Sequence, residues 1–146
     1  LTYVDEKGKK QRPIMIHVAM YGAFERFMGV LIEHYGGAFP SWLAPVQVKV
    51  LNFTDRNLRY AQKVEKALRD ADIRVESDYD SLTVGKKVRN AEMEKVPYIL
   101  VVGDKEQKAG TVAVRTRGSR KLAFGVKVDT FIKRIRKEID SKKIAP

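Results

Sequence analysis

Cysteine is absent from the 146 residues of this chain. Its absence excludes disulfide bonds and any metal site built on thiolates. Histidine is scarce as well, because the chain has only His17 and His34. A catalytic zinc ion needs about three protein ligands, so these two histidines with nearby carboxylates do not make a convincing site alone. A chain without cysteine also fits a reducing compartment, and we expect a cytoplasmic protein.

Long apolar runs are missing too. No stretch approaches the roughly 18 consecutive apolar residues of a membrane span, and the N-terminal stretch LTYVDEKGKKQRP contains no apolar signal region. We therefore expect neither secretion nor a membrane partner. The sequence does not begin with Met, which suggests a piece of a longer protein. Its length corresponds to about one domain, or to one small domain and a fragment.

Acidic residues are outnumbered: 18 Asp and Glu stand against 29 Lys and Arg, a net charge of +11. Residues 1–45 carry five basic and four acidic side chains, whereas residues 46–146 carry 24 and 14, a net charge of +10. A basic domain favours a polyanion partner, because binding phosphates releases their counterions. The alternative at this point is a lysine-rich surface that only keeps the protein in solution.

Several catalytic signatures are also missing. The stretch GDKEQKAG lacks the spacing and the Lys-Ser/Thr ending of a phosphate-binding Walker loop. No Ser-His-Asp or nucleophile-elbow pattern occurs. Hydrophobic residues nevertheless make up 44% of the chain, which is enough for a core and argues against disorder. The composition therefore predicts a folded protein without these chemistries.

The first pattern that predicts secondary structure is the apolar run PIMIHVAM (13–20), which is typical of a buried strand. The residues that follow repeat apolar side chains at steps of three and four and predict an amphipathic helix. Gly36 and Gly37 are expected to end this helix, since glycine adopts the left-handed cap without strain. The next stretch, AFPSWLAP, contains two prolines that preclude a continuous helix or strand. We therefore place a first fragment at residues 1–37 and a linker at residues 38–45.

Residues 46–146 alternate between strand and helix patterns. The runs VQVKVLNF, IRVESDYD and YILVVG predict strands, and the segments between them predict helices. The second of these helices is expected to turn three apolar residues inward and three basic residues outward: Val84, Val88 and Ala91 against Lys86, Lys87 and Arg89. This repetition predicts an α/β fold with a mixed, mostly parallel central sheet flanked by helices. The following strand, TVAVRTR, comes after a short loop and is expected to be antiparallel, and a basic helix ends the domain.

The strand TVAVRTR is the most informative part of the basic domain. Strand alternation places Arg115 and Arg117 on the face opposite Val112 and Val114. Their guanidinium groups can donate hydrogen bonds to phosphates or to base edges. Glu106, in the preceding loop, can accept a hydrogen bond from a base. The alternative is an Arg–Glu salt bridge at the surface that contributes little.

Taken together, these stretches resemble the threonyl-tRNA synthetases, which are class II aminoacyl-tRNA synthetases. RPIMIHVAMYGAFERFMGVLIEHYGGAFPSWLAPVQV is similar to the end of that family's catalytic domain as it passes into the anticodon-binding domain. GKKVRNAEMEKVPYILVVGDKE and GTVAVRTRG are similar to the anticodon-binding domain itself. The resemblance implies the class IIa anticodon-binding fold for residues 46–146. It also implies that residues 1–37 are a strand–helix remnant of the antiparallel catalytic domain.

The resemblance assigns roles to two residues of the first segment. Arg26 falls on the arginine of motif 3, which in that family binds ATP phosphate and stabilises the charge that develops during adenylation. His17 falls on one of three ligands of a zinc ion that holds threonine by its amino and hydroxyl groups and so excludes valine.

Motifs 1 and 2 and the other two zinc ligands are not in the chain. We therefore expect the C-terminal part of such an enzyme. The intact protein would use ATP, Mg²⁺ and Zn²⁺, whereas this chain alone would be inactive and would bind none of them tightly. The intact enzyme is expected to be a homodimer.

In the second domain, the resemblance places Glu106 and Arg115 on positions that read anticodon bases, and Arg89 on another position that contacts tRNA. Unstacked single-stranded bases can be read at their Watson–Crick edges. The implied partner is the anticodon stem-loop of threonine tRNA. Weaker candidates, for backbone phosphates, are Arg117, Arg120, Lys86 and Lys87.

Two other functions remain open on the sequence. The chain could be a non-catalytic nucleic-acid-binding protein that reuses this domain, or the same region of another class IIa synthetase. Arg26 and His17 favour the synthetase, because a pure binding module has no need of an adenylation arginine.

Overall fold

A computed structural model describes residues 1–119 and 121–144 of the chain. It divides into two compact units, Leu1–Glu33 and His34–Pro146. The boundary lies within helix α1 (Phe24–Tyr35). No helix among the described residues is long and apolar enough to cross a membrane.

The first unit begins with two short antiparallel strands, β1 (Tyr3–Val4) and β2 (Lys10–Gln11). The carboxylate of Asp5 holds the turn between them, because it accepts hydrogen bonds from the Lys7 and Lys9 amides at 3.0 and 2.9 Å. A hydrogen bond from the Gln11 side chain, together with these two from the Lys9 and Lys7 amides, lowers the pKa of Asp5 below its usual value.

The prediction of a strand at residues 13–20 is wrong for this structure. That stretch has no regular secondary structure, and its residues are exposed, with Ile14 at 92%. A strand needs a neighbour for its backbone hydrogen bonds, and among the described residues none pairs with this segment. The apolar run therefore signals a buried strand only where a partner strand is present.

Helix α1 forms where the three- and four-residue spacing predicted it. It ends as expected at two glycines in the left-handed region, Gly36 at φ 54° and Gly37 at φ 78°. None of its residues is buried.

The second unit is built on a five-stranded sheet of order β4-β3-β5-β6-β7. The strands are β3 (Val48–Asn52), β4 (Val75–Asp78), β5 (Tyr98–Val102), β6 (Thr111–Thr116) and β7 (Leu122–Lys127). β3 is parallel to both β4 and β5, β6 is antiparallel to β5, and β7 is antiparallel to β6. The predicted mixed α/β sheet and the antiparallel β6 are confirmed, with two parallel and two antiparallel pairings, whereas β7 extends the sheet beyond the prediction.

Helices cover both faces of this sheet. They are α2 (Leu58–Asp70), α3 (Val84–Met93), the short α4 (Asp104–Ala109) and α5 (Val128–Asp140). On one face α2 and α5 bury a large core, with Val64, Leu68 and Phe131 against the valines of β3 and β6. On the other face Ala91 of α3 packs with Leu51 and Ile99. Each fully buried Val, Leu, Ile or Phe side chain contributes about 1.5–3 kcal/mol to stability.

This arrangement creates a topological switch point between β3 and β5. The chain leaves β3 through α2 to β4 on one side, then returns through α3 to β5 on the other. Because α2 and α3 lie on opposite faces, a crevice opens at the carboxyl ends of β3 and β5. Ligands of open α/β sheets bind at such crevices.

Residues 38–45, predicted as a linker, belong to the second unit and pack against the rest of it. Pro40, Ser41 and Ala44 are buried, and the guanidinium of Arg74 donates to the Trp42 and Ala44 carbonyls, both at 2.9 Å. Backbone carbonyls without helix or strand partners are satisfied in this way by side chains of the unit.

A buried carboxylate fixes the same segment to α5. Glu138 accepts hydrogen bonds from the Ser41 hydroxyl and, at 2.6 Å, from the Tyr98 hydroxyl. Burial and this hydrogen bond to Glu138 raise the pKa of Tyr98 well above its usual value. Burial and a hydrogen bond to Glu65 do the same for the pKa of Tyr79.

Candidate nucleic-acid interface

A pocket of about 290 Å³ lies in the crevice at the switch point. Four elements bring polar and aromatic side chains to it: the loop after β3 gives Phe53, α4 gives Glu106, β6 gives Arg115 and β7 gives Phe124. The remaining lining residues are small or aliphatic, namely Val84, Val88, Val101, Gly103, Ala113 and Leu122. Two residues chosen from the sequence, Glu106 and Arg115, therefore line one pocket.

Two phenylalanines at this pocket are exposed, Phe53 at 56% and Phe124 at 70%. Aromatic rings in open solvent at a concave basic site are typical stacking platforms for unpaired bases. The sequence analysis missed both residues. Phe53 follows the last residue of a buried strand, which is the position where ligand-binding side chains of α/β sheets lie, so its place in the chain was the available signal.

Glu106 lies on α4 rather than in the loop that was predicted. Its Oε2 accepts a hydrogen bond from the Gly103 amide at 3.1 Å and so caps the helix. A Cβ at position 103 would lie 2.9 Å from this oxygen, so a larger residue there would displace the Glu106 carboxylate. Among the described residues, this is the one hydrogen bond that the Glu106 side chain makes, which leaves Oε1 available to a ligand. Burial, and to a lesser extent the charge of Glu106, raise the pKa of Tyr60.

Arg115 forms an ion pair with Glu92 of α3, at 2.8 Å between Nε and Oε1. The surface pair between Arg115 and Glu106 that the sequence allowed is therefore not the pair in the structure. The Arg115 side chain is 36% exposed, and it also lines a neighbouring pocket of about 240 Å³ with Glu92 and Arg117. Because Glu92 engages Nε, the two terminal nitrogens of the guanidinium can donate to a ligand.

The basic residues predicted on α3 divide into two groups. Lys86 and Arg89 are exposed and line a shallow groove of about 620 Å³ together with Met93. Lys87 was expected on the outside and is 2% exposed instead. The spacing explains this correction, because Lys87 lies three residues after Val84 and therefore on the inward stripe of the helix.

The guanidinium of Arg117 forms hydrogen bonds within the second unit. Its guanidinium donates to the Lys95 carbonyl at 2.7 Å and to the Phe39 carbonyl at 2.8 Å. Burial lowers its pKa. This residue, a weaker candidate for phosphate contact, therefore ties the segment 38–45 to the end of β6. Arg120, the neighbouring candidate, lies outside the described residues.

The two candidates of the first unit, His17 and Arg26, are both exposed. No group of three His, Cys, Asp or Glu side chains among the described residues could hold a metal ion. The described residues around His17 therefore do not form a zinc site by themselves.

Comparison with known proteins connects this fold and pocket to a family. Residues 45–138 match the family model of the anticodon binding domain. The chain is 50% identical over 142 residues to a threonine–tRNA ligase of Clostridium botulinum, covering 97% of this chain and 22% of that protein. It is also 50% identical over 144 residues to the threonine–tRNA ligase of Desulforamulus reducens, covering 99% of this chain and 22% of the relative. The chain thus spans about a fifth of the length of these curated relatives.

Solved structures agree with the sequence relatives. The RNA binding domain of threonyl-tRNA synthetase from Cryptosporidium parvum superposes with a TM-score of 0.75 at 32% identity, over 94% of this chain and 35% of that one. Prolyl-tRNA synthetase from the same organism shares the fold, with a TM-score of 0.68 at 23% identity, over 96% of this chain and 30% of that one. The match to the family model covers more than half of the chain, and the chain therefore belongs to the anticodon binding domain family, as a member similar to threonine–tRNA ligases over nearly its whole length.

Proposed function

We propose that residues 46–146 bind the anticodon stem-loop of threonine tRNA and read its bases in the switch-point pocket. The observation that carries this proposal is the convergence of Glu106, Arg115, Phe53 and Phe124 on one pocket. These side chains combine an acceptor, a donor and two stacking surfaces within about 290 Å³.

The chemistry of the pocket suits unpaired bases. Bases of a single-stranded loop can leave the stack and present their Watson–Crick edges. The carboxylate of Glu106 accepts hydrogen bonds and rejects acceptors, so it selects an N–H edge, while the guanidinium of Arg115 donates to base oxygens and nitrogens. Phe53 and Phe124 supply stacking that does not depend on the identity of the base.

Phosphate contacts provide the rest of the affinity. Residues 46–146 carry a net charge of +10, and the exposed Lys86 and Arg89 lie on α3, the helix whose Val84 and Val88 line the pocket. Each neutralised phosphate releases counterions, which favours binding in a manner that salt weakens.

For the intact protein we propose an ATP-dependent threonine–tRNA ligase, the activity that the names of the relatives state, acting as a homodimer in the cytoplasm. In that enzyme Arg26 would contact ATP phosphate beside Mg²⁺, and His17 would be one of three zinc ligands. The chain alone is proposed to be inactive and to bind zinc weakly, since one ligand cannot hold the ion against water. Threonine-dependent pyrophosphate exchange by the purified chain, or stoichiometric zinc after dialysis, would contradict this part of the proposal.

The test of base reading is a competition assay at fixed salt with two stem-loops, the cognate one and one with a swapped anticodon. Arg115→Ala should weaken cognate binding by about 1–3 kcal/mol and reduce discrimination. Glu106→Gln keeps an oxygen for the Gly103 amide, so α4 stays capped. Since it removes a negative charge and one acceptor, it should strengthen non-specific binding and weaken the cognate preference.

Lys86→Ala is the matched control for a phosphate contact. It should weaken both stem-loops equally and lower the slope of log K against log salt by roughly 0.7–0.9. If Glu106→Gln and Arg115→Ala also change both stem-loops by one common factor, the pocket does not read bases. The domain would then bind nucleic acid without discriminating its bases in this pocket.

A further inference from the structure

Lys87 is almost completely removed from solvent, at 2% exposed. Buried lysines are rare unless their charge is partnered. Among the described residues, no carboxylate lies within 4.0 Å of its ammonium group. Its partners are instead two neutral oxygens, the Asn52 Oδ1 at 2.8 Å and the Asp78 carbonyl at 3.3 Å.

These two oxygens lie at the carboxyl ends of neighbouring parallel strands. Asn52 is the last residue of β3 and Asp78 the last residue of β4. The ammonium group therefore ties α3 to the edge of the sheet where the candidate pocket opens. Both Val84 and Val88, one turn or less from Lys87 on α3, line that pocket.

A chain of polar contacts continues from Lys87 beneath the pocket. The Asn52 amide donates to the Thr54 carbonyl at 3.0 Å, and the Thr54 hydroxyl donates to Asn57 Oδ1 at 2.8 Å. The side-chain amide of Asn57 then donates to Asp104 Oδ1 at 2.8 Å and to Gln107 Oε1 at 2.9 Å, both on α4.

Three walls of the pocket are joined by this chain of hydrogen bonds: α3 with its valines, the loop of Phe53, and α4 with Glu106. Asn52 and Asn57 are almost completely buried, at 2% and 1% exposed. Buried polar networks of this kind fix geometry, because every break leaves an unsatisfied group. The neighbouring Lys86 differs from this network, because its side chain is exposed to solvent.

We infer that Lys87 is a positioning residue, which holds Asn52 and thereby the Phe53 loop in the geometry needed for base discrimination, and which contacts no phosphate itself. The inference rests on the proposed function for its effect on RNA. Its effect on the loop is a property of the free protein and can be measured without RNA.

The first measurement is amide hydrogen exchange in the full chain without RNA. The backbone N–H of Asn57 donates to the Thr54 carbonyl, the oxygen that also accepts from the Asn52 side chain. Its exchange rate therefore reports on this loop. Lys87→Met should accelerate exchange at Asn57 by about tenfold or more, while amides of the central strand β5 keep their protection. Lys86→Met is the matched control and should leave Asn57 exchange unchanged.

The second measurement is the ratio of affinities for the cognate and anticodon-swapped stem-loops. Lys87→Met should lower this ratio at least several-fold and leave the salt slope unchanged, whereas Lys86→Met should lower the slope and preserve the ratio. A general loss of stability would not produce this split, provided both variants are measured well below their melting temperatures.

Lys87→Met removes the donor to the buried Asn52 Oδ1 and to the part-buried Asp78 carbonyl and can prevent folding, so Asn52→Asp provides a second variant. It keeps an oxygen for the Lys87 ammonium and gives that charge a partner, but it removes the donor to the Thr54 carbonyl. The inference expects a folded protein with faster Asn57 exchange and a reduced affinity ratio.

Two results would overturn the inference. One is unchanged Asn57 exchange in Asn52→Asp and in any folded Lys87→Met. The other is a salt slope reduced by 0.7–0.9 in Lys87→Met with the affinity ratio intact, which would make Lys87 a phosphate contact. A wild-type chain that does not discriminate the stem-loops would overturn the proposed function, and the role in base reading with it, while the exchange rates would still decide whether Lys87 holds the loop.

Discussion

Replacing Phe124 by alanine separates binding from folding at the candidate site. The ring is 70% exposed, so truncation removes less than a third of the burial that a core phenylalanine would lose. Full burial of such a side chain contributes about 1.5–3 kcal/mol, and the expected loss of stability is therefore below about 1 kcal/mol. Stacking of a base on the ring contributes about 1–3 kcal/mol. Binding of a stem-loop should thus weaken roughly 5- to 150-fold in a protein that remains folded.

The assay is fluorescence anisotropy of a labelled anticodon stem-loop, with urea unfolding measured on the same samples. Because stacking tolerates any base, Phe124→Ala should weaken cognate and swapped stem-loops by similar factors, unlike Glu106→Gln. Phe24→Ala is a matched control, since Phe24 has the same residue type and is 69% exposed, but lies in the first unit. It should leave affinity unchanged. Unchanged affinity in Phe124→Ala, or an equal loss in both variants, would show that this ring is not a stacking platform.

Three further predictions concern the buried carboxylate, alkaline pH and the arginine's ion pair. Glu138→Ala leaves two buried hydroxyls unpartnered and should lower the free energy of unfolding in urea by about 2–6 kcal/mol. The pKa values of Tyr98 and Tyr79 are raised in the folded state. Their protonated hydroxyls therefore contribute fully to the free energy of unfolding below pH 10, and this contribution is lost progressively as the pH rises above 10. Tyr98 alone accounts for up to about 1.4 kcal/mol per pH unit, and Tyr98→Phe should flatten the decline in melting temperature between pH 10 and 12. Glu92→Gln removes the ion pair of Arg115; stability should change by less than about 1 kcal/mol, and stem-loop discrimination should fall, though less than in Arg115→Ala.

Helices and strands whose apolar residues follow a clear pattern were predictable from the sequence. The segment between VQVKVLNF and IRVESDYD was predicted as a helix and forms α2, whose apolar stripe of Ala61, Val64 and Leu68 is buried in the structure. The continuous apolar run YILVVG predicted the central strand β5. In both cases the pattern is produced by the burial that it predicts, because one face of a helix or both faces of a central strand must be apolar.

Elements that depend on local caps or on irregular pairing were missed. Helix α4 has six residues, and its ends are set by the Glu106 cap and by Gly110 at φ 67°, so it carries no hydrophobic period. Strand β7 pairs with β6 through a register shift, and Gly125 within it has φ 67°. An irregular, largely exposed edge strand does not alternate, and Phe124 was overlooked with it.

Lys87 shows how residue type can mislead where position does not. Its charge suggested the surface, whereas its spacing from Val84 and Ala91 placed it on the buried stripe. The cost of burying the ammonium is offset only by oxygens from two strand ends, and these come together through the tertiary fold. A sequence pattern gives the side of a helix, but the acceptors that make a buried charge tolerable lie far away in the chain.

Under the proposed function, affinity and discrimination depend on different parts of this unit. Phosphates are common to every stem-loop, so the contribution of the +10 charge cancels in the ratio of two affinities, although it dominates each one. Glu106 contributes in the opposite sense, because its negative charge disfavours any RNA unless a base N–H compensates it. Discrimination then requires that the carboxylate be held where only the correct edge can reach it. In our proposal, the cap at Gly103 and the buried chain of hydrogen bonds from Lys87 to α4 provide that rigidity, which surface lysines cannot.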